Sequence, residues 1–449
     1  MIISTVTAAN YLHRAKVMAR SVKRHMPDAK VVVCLIEKDM IQEAMNVPWF
    51  DEVILAKDLG IPHFPQLMLK YNVLEAICAV VTLFYSFLLN RFPSEKYFIH
   101  LDSDVQVMNR FDDLIRALDE KPIVLTPHFT NSEFLKFDTL FFGVYNAGFS
   151  AIRRSDEAHR FVQWWGERSY DLGFFDHIHF ANQKWLDLAP GFFDVYSFQH
   201  PGYNMAFWNI HERNLVIQDG VYLTNGLPLC FFHYSNSVFH YFFQSNPDPG
   251  SPLYQMVSGY LLESIELGQY ALSKTPWSYN YFDNGETVES IRNEVRSNPG
   301  LAFRLPDPFK GSSHSLFSDD VVALQALVNQ LWVAAENQGV LPLCANRYSI
   351  GPWENFRLIY LDGDKIALQS LANQKYVTAE LGGEGELIAN RDHIGPWETF
   401  LHLDFGEGRS AFKSMANDKF VTVDLEGQCS LLPRAADVGL NQLFYISKL

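Results

Sequence analysis

Residues 320–449 repeat a single pattern three times, and this repeat restricts the available folds more than any other feature of the chain. Ala323-Leu324-Gln325-Ala326-Leu327-Val328-Asn329-Gln330 returns as Ala367-Leu368-Gln369-Ser370-Leu371-Ala372-Asn373-Gln374, and again as Ala411-Phe412-Lys413-Ser414-Met415-Ala416-Asn417-Asp418. The step is 44 residues each time, and Trp332, Tyr376 and Phe420 keep it, as do Gly351, Gly395 and Gly439. Ile-Gly-Pro-Trp-Glu occurs at Ile350–Glu354 and again at Ile394–Glu398. Each unit alternates short β-runs with turns bearing Gly and Asn. Units that cannot bury a face alone must pack on one another. Three all-β units of this size suit a closed threefold barrel, the β-trefoil; three blades are too few for a usual propeller. The shared spacing predicts that Trp332, Tyr376, Phe420, Trp353 and Trp397 are threefold core positions.

The first 297 residues read differently. Ile2–Thr7 is a strand, Tyr11–His25 a helix, Lys30–Glu37 a strand and Glu52–Leu55 a short strand. A long helix follows over roughly Pro65–Arg91, then strands at Tyr97–Leu101, Ile123–Thr126 and Ala147–Ile152, and a helix at Ser155–Tyr170 capped by Ser155. This alternation implies a mainly parallel sheet with helices on both faces. From Phe174 to Tyr281 the chain is aromatic-rich and less periodic, as a loop-built substrate region would be. Pro, Gly and Ser then cluster over residues 298–319, which read as a linker.

One tetrapeptide in the α/β part carries chemistry. The apolar run Tyr97-Phe98-Ile99-His100 stops in Leu101-Asp102-Ser103-Asp104. A buried strand ending in Asp-x-Asp sets two carboxylates at its carboxyl edge, where open α/β sheets bind ligands. Hard oxygen ligands there suit Mg²⁺ or Mn²⁺ beside a diphosphate.

Composition excludes other classes. A formal charge of −15 argues against nucleic acid as a partner. The five cysteines are scattered without a C-x-x-C pair, which fits reduced thiols in the cytoplasm and no zinc site. No signal peptide is evident at the amino terminus. The most apolar stretch, Val73–Leu89, is interrupted by Glu75 and reads as a core helix instead of a transmembrane span. Peripheral membrane association is left open.

The strand entering Asp102-Ser103-Asp104, followed by Tyr145-Asn146-Ala147-Gly148-Phe149 and Phe232-His233-Tyr234-Ser235, resembles the metal-dependent GT-A glycosyltransferases, nearest the glycogenin and galactosyltransferase-like group and its bacterial relatives. The resemblance covers about residues 1–296. Asn182-Gln183-Lys184-Trp185, Pro201-Gly202-Tyr203-Asn204 and Trp208-Asn209 are similar to segments of those relatives. The three repeats resemble a fascin-type trefoil. The implied fold is an α/β GT-A (Rossmann-like nucleotide-diphospho-sugar transferase) domain over 1–297, the linker, and an all-β β-trefoil over 320–449.

The resemblance implies Asp102, Asp104 and His233 as ligands of Mn²⁺ or Mg²⁺, with Asp102 and Ser103 also facing the nucleotide. It implies Thr7, Ala8, Asn10 and Tyr11 around the base, and Asn146, Ala147 and Gly148 along the donor sugar. Gln183, with Asn182 and Asp187, would stand near the reacting carbon and the acceptor. Tyr203, Phe207, Trp208, Trp277, Tyr279 and Tyr281 are candidates to stack on sugar rings. Three departures stand out: relatives usually carry an acid where this chain has Asn182, a Lys-Pro step in the helix where it has Val80-Val81-Thr82-Leu83, and a glycine after His-x-Ser where it has Asn236. The implied function is transfer of a hexose from a nucleotide-diphosphate sugar, UDP-linked by preference, to a hydroxyl of a glycan, lipid-linked saccharide or protein, with retention. Two other classes use the same residues: a non-catalytic carbohydrate- or cytoskeleton-binding protein with a degenerate transferase domain, and a nucleotide-sugar hydrolase.

Overall fold

The computed structural model describes residues 1–134, 138–175, 180–235, 242, 248–297, 301–302, 307–312, 320–361, 364–406 and 408–449. They form two compact units, Met1–Asn280 and Tyr281–Leu449. Most of the expected linker lies outside the described residues, as does Asn236.

The first unit is mixed α/β. Its strands are β1 (Ile2–Thr7), β2 (Lys30–Leu35), β3 (Glu52–Leu55), β4 (Tyr97–Leu101), β5 (Val105–Val107), β6 (Ile123–Pro127), β7 (Tyr145–Arg153), β8 (Val195–Ser197), β9 (Met205–Ala206), β10 (Leu215–Gln218), β11 (Val221–Thr224), β12 (Leu227–Pro228) and β13 (Phe231–His233). Its principal helices are α1 (Leu12–His25), α2 (Phe64–Lys70), α3 (Val73–Arg91), α4 (Asp112–Glu120), α5 (Asp138–Phe142), α6 (Asp156–Leu172) and α7 (Pro252–Glu266).

Seven strands form one sheet in the order β3-β2-β1-β4-β7-β6-β8. The pairs β1–β2, β2–β3, β1–β4 and β6–β8 are parallel, whereas β7 runs antiparallel to both its neighbours. The strand order reverses between β1 and β4, so their carboxyl ends diverge into a crevice. A second sheet, β5-β13-β9, lies just downstream of β4 and sets His233 opposite Val105. The core between sheet and helices is built from Ile3, Met18, Val22, Val31, Ile99, Leu101, Phe149 and Phe231.

Two expectations need correcting here. The helix expected over 65–91 is two helices, because Asn72 starts a new one. Its side-chain oxygen accepts from the backbone N–H of Leu74 and Glu75, each at 3.0 Å, and the Glu75 carboxylate accepts from Asn72 N at 2.9 Å. This reciprocal capping box was present in the sequence as Asn-x-x-Glu. The region from 174 is also less irregular than expected, since it contributes β8–β13 and α7. Helix α3 is the one described helix long and apolar enough to cross a membrane, and more than half of it is buried within the unit. It packs on α6 and beneath β1 and β4.

The second unit is β-rich and barrel-like. Its strands are β14 (Asp320–Ala326), β15 (Trp332–Ala335), β16 (Leu343–Arg347), β17 (Phe356–Tyr360), β18 (Lys365–Ser370), β19 (Tyr376–Ala379), β20 (Leu387–Arg391), β21 (Phe400–Asp404), β22 (Arg409–Ser414), β23 (Phe420–Val423), β24 (Leu431–Ala435) and β25 (Phe444–Lys448). Pairing closes β14-β17-β18-β21-β22-β25 into a ring, because β25 returns to β14. The hairpins β15–β16, β19–β20 and β23–β24 occupy equivalent places in the three repeats.

The repeats hold the same bonds. The Asn329, Asn373 and Asn417 side chains donate to the carbonyls of Ala345, Ala389 and Pro433 at 2.8, 2.7 and 2.9 Å. The core is aliphatic and Phe-rich, with Leu324, Val333, Phe356, Leu368, Val377, Phe400, Phe412 and Phe444. The tryptophans are not part of it. Trp397 is 41% exposed, and Trp332, Tyr376 and Trp353 are half-buried; of the five expected core positions Phe420 alone is buried. What repeats at Gly-Pro-Trp-Glu is a turn. Glu354 and Glu398 are buried and accept from Gly351 N and Gly395 N at 2.6 and 2.8 Å, and the Trp carbonyls accept from Ala335 N and Ala379 N.

Candidate functional site

Strand β4 ends at Leu101, and a tight turn follows in which Asp102 N donates to Gly148 O at 2.8 Å and Val105 N to Asp102 O at 3.2 Å. That turn puts Asp102, Ser103 and Asp104 at the mouth of the β1–β4 crevice. The antiparallel pairing of β13 with β5 then carries His233 to the same place, with Tyr234 N donating to Asp104 O at 2.8 Å. Asp102, Asp104 and His233 each offer one ligand atom, and these atoms lie within 4.8 Å of one another. His233 Nε2 is 3.1 Å from Asp104 Oδ1 and 3.8 Å from Asp102 Oδ2.

The surroundings fix the state of these ligands. His233 Nδ1 is 3.2 Å from the side-chain oxygen of Asn204. An N–H donated there leaves the Nε2 lone pair turned to the aspartates, the arrangement a metal-ligating imidazole requires. Asn204 is fully buried at φ 52°, a left-handed conformation that asparagine tolerates better than most side chains. Asn209 holds that turn by donating to Asn204 O at 3.0 Å and His128 O at 2.9 Å and accepting from Ala206 N at 2.9 Å. Trp208 packs edge-on against the His233 ring, with centroids 5.2 Å apart.

Charge reinforces this geometry. Burial alone would lower the His233 pKa, but the charge and hydrogen bond of Asp104, and then the charge of Asp102, outweigh it and raise the pKa. Burial would raise the Asp102 carboxyl, and the hydrogen bond from His100 (Nε2 to Oδ1, 3.2 Å) with the His233 charge brings it below its ordinary value. Arg14 Nη1 stands 3.4 Å from the other oxygen of Asp104.

Gly148 is fixed by space. A Cβ there would lie 2.5 Å from His233 Cε1, 2.6 Å from Asp102 Oδ2 and 3.0 Å from Asn146 Oδ1. Any side chain would displace two of the three ligand-bearing groups. Asn146 and Ala147, expected beside Gly148, sit on the same strand. Asn146 Nδ2 donates to Gln183 Oε1 at 3.2 Å and approaches His128 Nε2 at 3.3 Å. Burial pushes the His128 pKa down to about 4, so its neutral ring donates from Nδ1 to Val144 O and accepts at Nε2. The Asn146 side-chain oxygen is buried and has no partner among the described residues.

A cleft of about 280 Å³ joins these groups. Of the residues expected at the site, Tyr11, Asp102, Ser103, Asp104, Asn146, Ala147, Gly148, Asn182, Gln183 and His233 all line it. Thr7 and Ala8 are buried at the end of β1 and do not line it, nor does Asn10, whose side-chain oxygen is buried and unpartnered among the described residues. The Gln183 carboxamide is engaged at both ends: Oε1 accepts from Asn146 Nδ2 and from Ala147 N at 3.0 Å, and Nε2 donates to Phe142 O at 2.8 Å. Asp187 stands outside the cleft lining, where its carboxylate accepts from Val144 N at 2.7 Å.

Of the six candidate stacking aromatics, Trp208 alone lines the cleft; Tyr203, Trp277 and Tyr279 are buried, and Tyr281 falls in the second unit. Sequence reasoning assigned no role at the site to Arg14, His100, His128 or Asn204. His100 was accessible to it, since side chains two apart on a strand share a face and His100 precedes Asp102 by two.

A family model described as a domain of unknown function, DUF7910, matches residues 359–448, within the second unit. No curated protein matches the chain. Among solved structures, the designed threefold symmetric protein ThreeFoil is 17% identical at a TM-score of 0.27, covering 29% of this chain and 99% of its own. The exo-β-1,3-galactanase 1,3Gal43A from Clostridium thermocellum is 12% identical at 0.27, covering 30% of this chain and 31% of its own. The β-trefoil of BEL is 14% identical at 0.26, covering 29% and 95%. These are weak likenesses.

Proposed function

We propose that the first unit is a GT-A-type, divalent-metal-dependent glycosyltransferase and the second a fascin-like β-trefoil that positions the acceptor. The enzyme transfers a hexose from a nucleotide-diphosphate sugar, UDP-linked by preference, to a hydroxyl of a glycan, lipid-linked saccharide or protein. The observation that carries this reading is the meeting of Asp102, Asp104 and His233 at the strand-order reversal, in a space that Gly148 keeps open.

Two carboxylates with one imidazole fit Mn²⁺ better than Mg²⁺, which prefers oxygen ligands throughout. The ion would be held by Asp102, Asp104 and His233 and would supply Lewis-acid neutralisation of the leaving diphosphate. The chain's own residues do the rest. Asn204 and His100 orient the two ligands they contact, and Arg14 holds the second oxygen of Asp104. Tyr11 and the end of β1 would receive the nucleoside, and Asn146, Ala147 and Gly148 the sugar. Gln183 acts as a positioning residue, because its amide braces Asn146 and Ala147. The described cleft lining holds no carboxylate besides Asp102 and Asp104, which agrees with retention better than with an inverting base. Five unpaired cysteines agree with a cytoplasmic location.

The test is calorimetric titration with UDP- and GDP-sugars, with and without Mn²⁺, followed by acceptor screening with the donor that binds. Mn²⁺-dependent binding that disappears in Asp104→Ala supports the reading. A folded protein that binds no nucleotide-sugar refutes it.

A further inference from the structure

The threefold repeat supplies its own internal comparison. Repeats 1 and 2 carry the same four side chains at equivalent places: Trp353, Arg347, Glu336 and Asn346 in the first, Trp397, Arg391, Glu380 and Asn390 in the second. Their bonds coincide as well. Arg347 Nη1 donates to Asn346 Oδ1 at 2.7 Å and Nη2 to Glu336 Oε2 at 2.9 Å; Arg391 Nη1 donates to Asn390 Oδ1 at 2.7 Å, and its Nη2 pairs with Glu380 Oε1 at 3.0 Å. Repeat 3 has Asn441 in place of the tryptophan and Ala435 in place of the arginine. Its turn forms nonetheless, because Gln442 stands in for the buried glutamate, accepting from Gly439 N at 2.9 Å and donating to Thr422 Oγ1 at 3.0 Å. The barrel therefore folds without that tryptophan and arginine, and their presence in two repeats calls for another use.

The set presents a ring beside a fixed polar group. In repeat 1 the Arg347 guanidinium lies 5.9 Å from the centre of the Trp353 ring. In repeat 2 the turn that starts at Glu380 brings Gly382 alongside the Trp397 indole, where a Cβ would stand 3.7 Å from Cζ2. With no side chain there the indole is 41% exposed, whereas Trp353, with Gln338 at the corresponding position, is half-buried. A guanidinium has five N–H donors in one plane. The bonds to Asn and Glu fix that plane and leave donors over for a ligand. Each arginine also faces two glutamates: Arg347 is 2.8 Å from Glu336 and 3.8 Å from Glu354, and Arg391 is 3.0 Å from Glu380 and 3.9 Å from Glu398. That leaves no excess positive charge for an anionic ligand.

We propose that these two lobes of the barrel are saccharide-binding sites that take uncharged pyranose rings of a glycan. A pyranose presents C–H groups on its face and hydroxyls around its rim. The exposed indole takes the face, as an amphipathic ring does, and the fixed Arg, Asn and Glu groups take the rim, donating to and accepting from hydroxyls. A ligand without charge gains both contacts and meets no unpaired cation or anion. The proposal deepens the acceptor-positioning role given above to the second unit by naming the residues that bind and the class of ligand. The binding itself needs neither metal nor nucleotide, so it is separable from the transferase reading.

The test is calorimetric titration of the full chain, without Mn²⁺ or nucleotide, with millimolar lactose, cellotetraose, laminaritetraose and mannotetraose. At least one should bind saturably. Trp353→Asn combined with Trp397→Asn, which copies Asn441 of repeat 3 and so keeps the turn, should weaken that binding by about tenfold or more. Arg347→Ala combined with Arg391→Ala, copying Ala435, should do the same and serves if the tryptophan variant does not fold. Asp104→Ala, in the other unit, should bind the saccharide as the wild type does. Failure of all these saccharides to bind overturns the proposal, as does a folded double variant whose binding falls by less than that. Loss of binding in Asp104→Ala also overturns it, because it would place the saccharide in the α/β cleft. Failure of nucleotide-sugars to bind is the separate result that removes the transferase reading and leaves these sites standing.

Discussion

Replacing Gly148 with alanine should severely weaken metal binding while leaving the protein folded. Gly148 lies within β7 and is not among the residues of positive φ, so alanine introduces no backbone strain. The effect is purely one of space. The new methyl would stand 2.5 Å from His233 Cε1 and 2.6 Å from Asp102 Oδ2. Carbon contacts settle at about 3.5 Å or beyond, so one or both groups must retreat by roughly 1 Å. Ligand distances at a metal site tolerate shifts of only about 0.2 Å. Loss of orientation by a second-sphere change alone costs 10–100-fold in affinity. Direct displacement of two ligands out of three should therefore weaken Mn²⁺ binding by about 100-fold or more.

Overpacking of this kind costs about 1–3 kcal/mol of stability. For a unit spanning Met1–Asn280 that lowers Tm by about 2–5 °C. Titration of Mn²⁺ by water-proton relaxation, beside a thermal melt, reads both quantities. A Gly148→Ala protein that binds Mn²⁺ within threefold of wild type would refute the geometric reasoning, whatever its Tm.

Asn204→Ala removes the acceptor for His233 Nδ1 and should weaken Mn²⁺ binding about 10–100-fold, while the left-handed φ of 52° that alanine adopts poorly costs the fold about 1–2 kcal/mol, both checked by the same titration and melt; unchanged affinity would mean that Asn204 does not set the tautomer. The raised His233 pKa predicts that a proton competes with the metal up to and beyond pH 6.5, so Mn²⁺ affinity should climb with pH and level off only above the raised value. In the metal-free protein the sign is opposite: the charged His233 contributes stability that is complete below about pH 6.5 and is lost as pH rises through the folded pKa, which a pH series of melts would display. Phe356→Ala, in the barrel core, should cost about 3–5 kcal/mol in the second unit, seen as an earlier denaturant midpoint for that unit, and leave Mn²⁺ affinity unaltered.

Much of this architecture could be read from residues alone, because the signals were local or periodic. The Asp-x-Asp at the end of an apolar run located the crevice, since strand polarity dictates which end of β4 carries it. The 44-residue step located the three repeats. His233 was different. It follows Asp104 by more than a hundred residues and meets it only through the β5–β13 pairing, which no local pattern encodes, so resemblance alone pointed to it. The tryptophans misled because spacing establishes equivalence between repeats and says nothing of burial; a repeated turn keeps its residues as faithfully as a repeated core. Asn204 stood within a segment similar to the relatives, but its role beside His233 was not legible because a buried left-handed asparagine looks like any turn residue. The break at Asn72 was legible as a capping box, but the surrounding apolar run hid it.

The central claim is that Asp102, Asp104 and His233 together hold a divalent ion against a nucleotide diphosphate. It is tested most directly by a crystal structure of the protein with Mn²⁺ and UDP, with diffraction recorded on both sides of the manganese absorption edge. The account predicts one anomalous peak bonded to all three side chains and to the diphosphate. Bound UDP with manganese elsewhere, or with no manganese at these three residues, would contradict it.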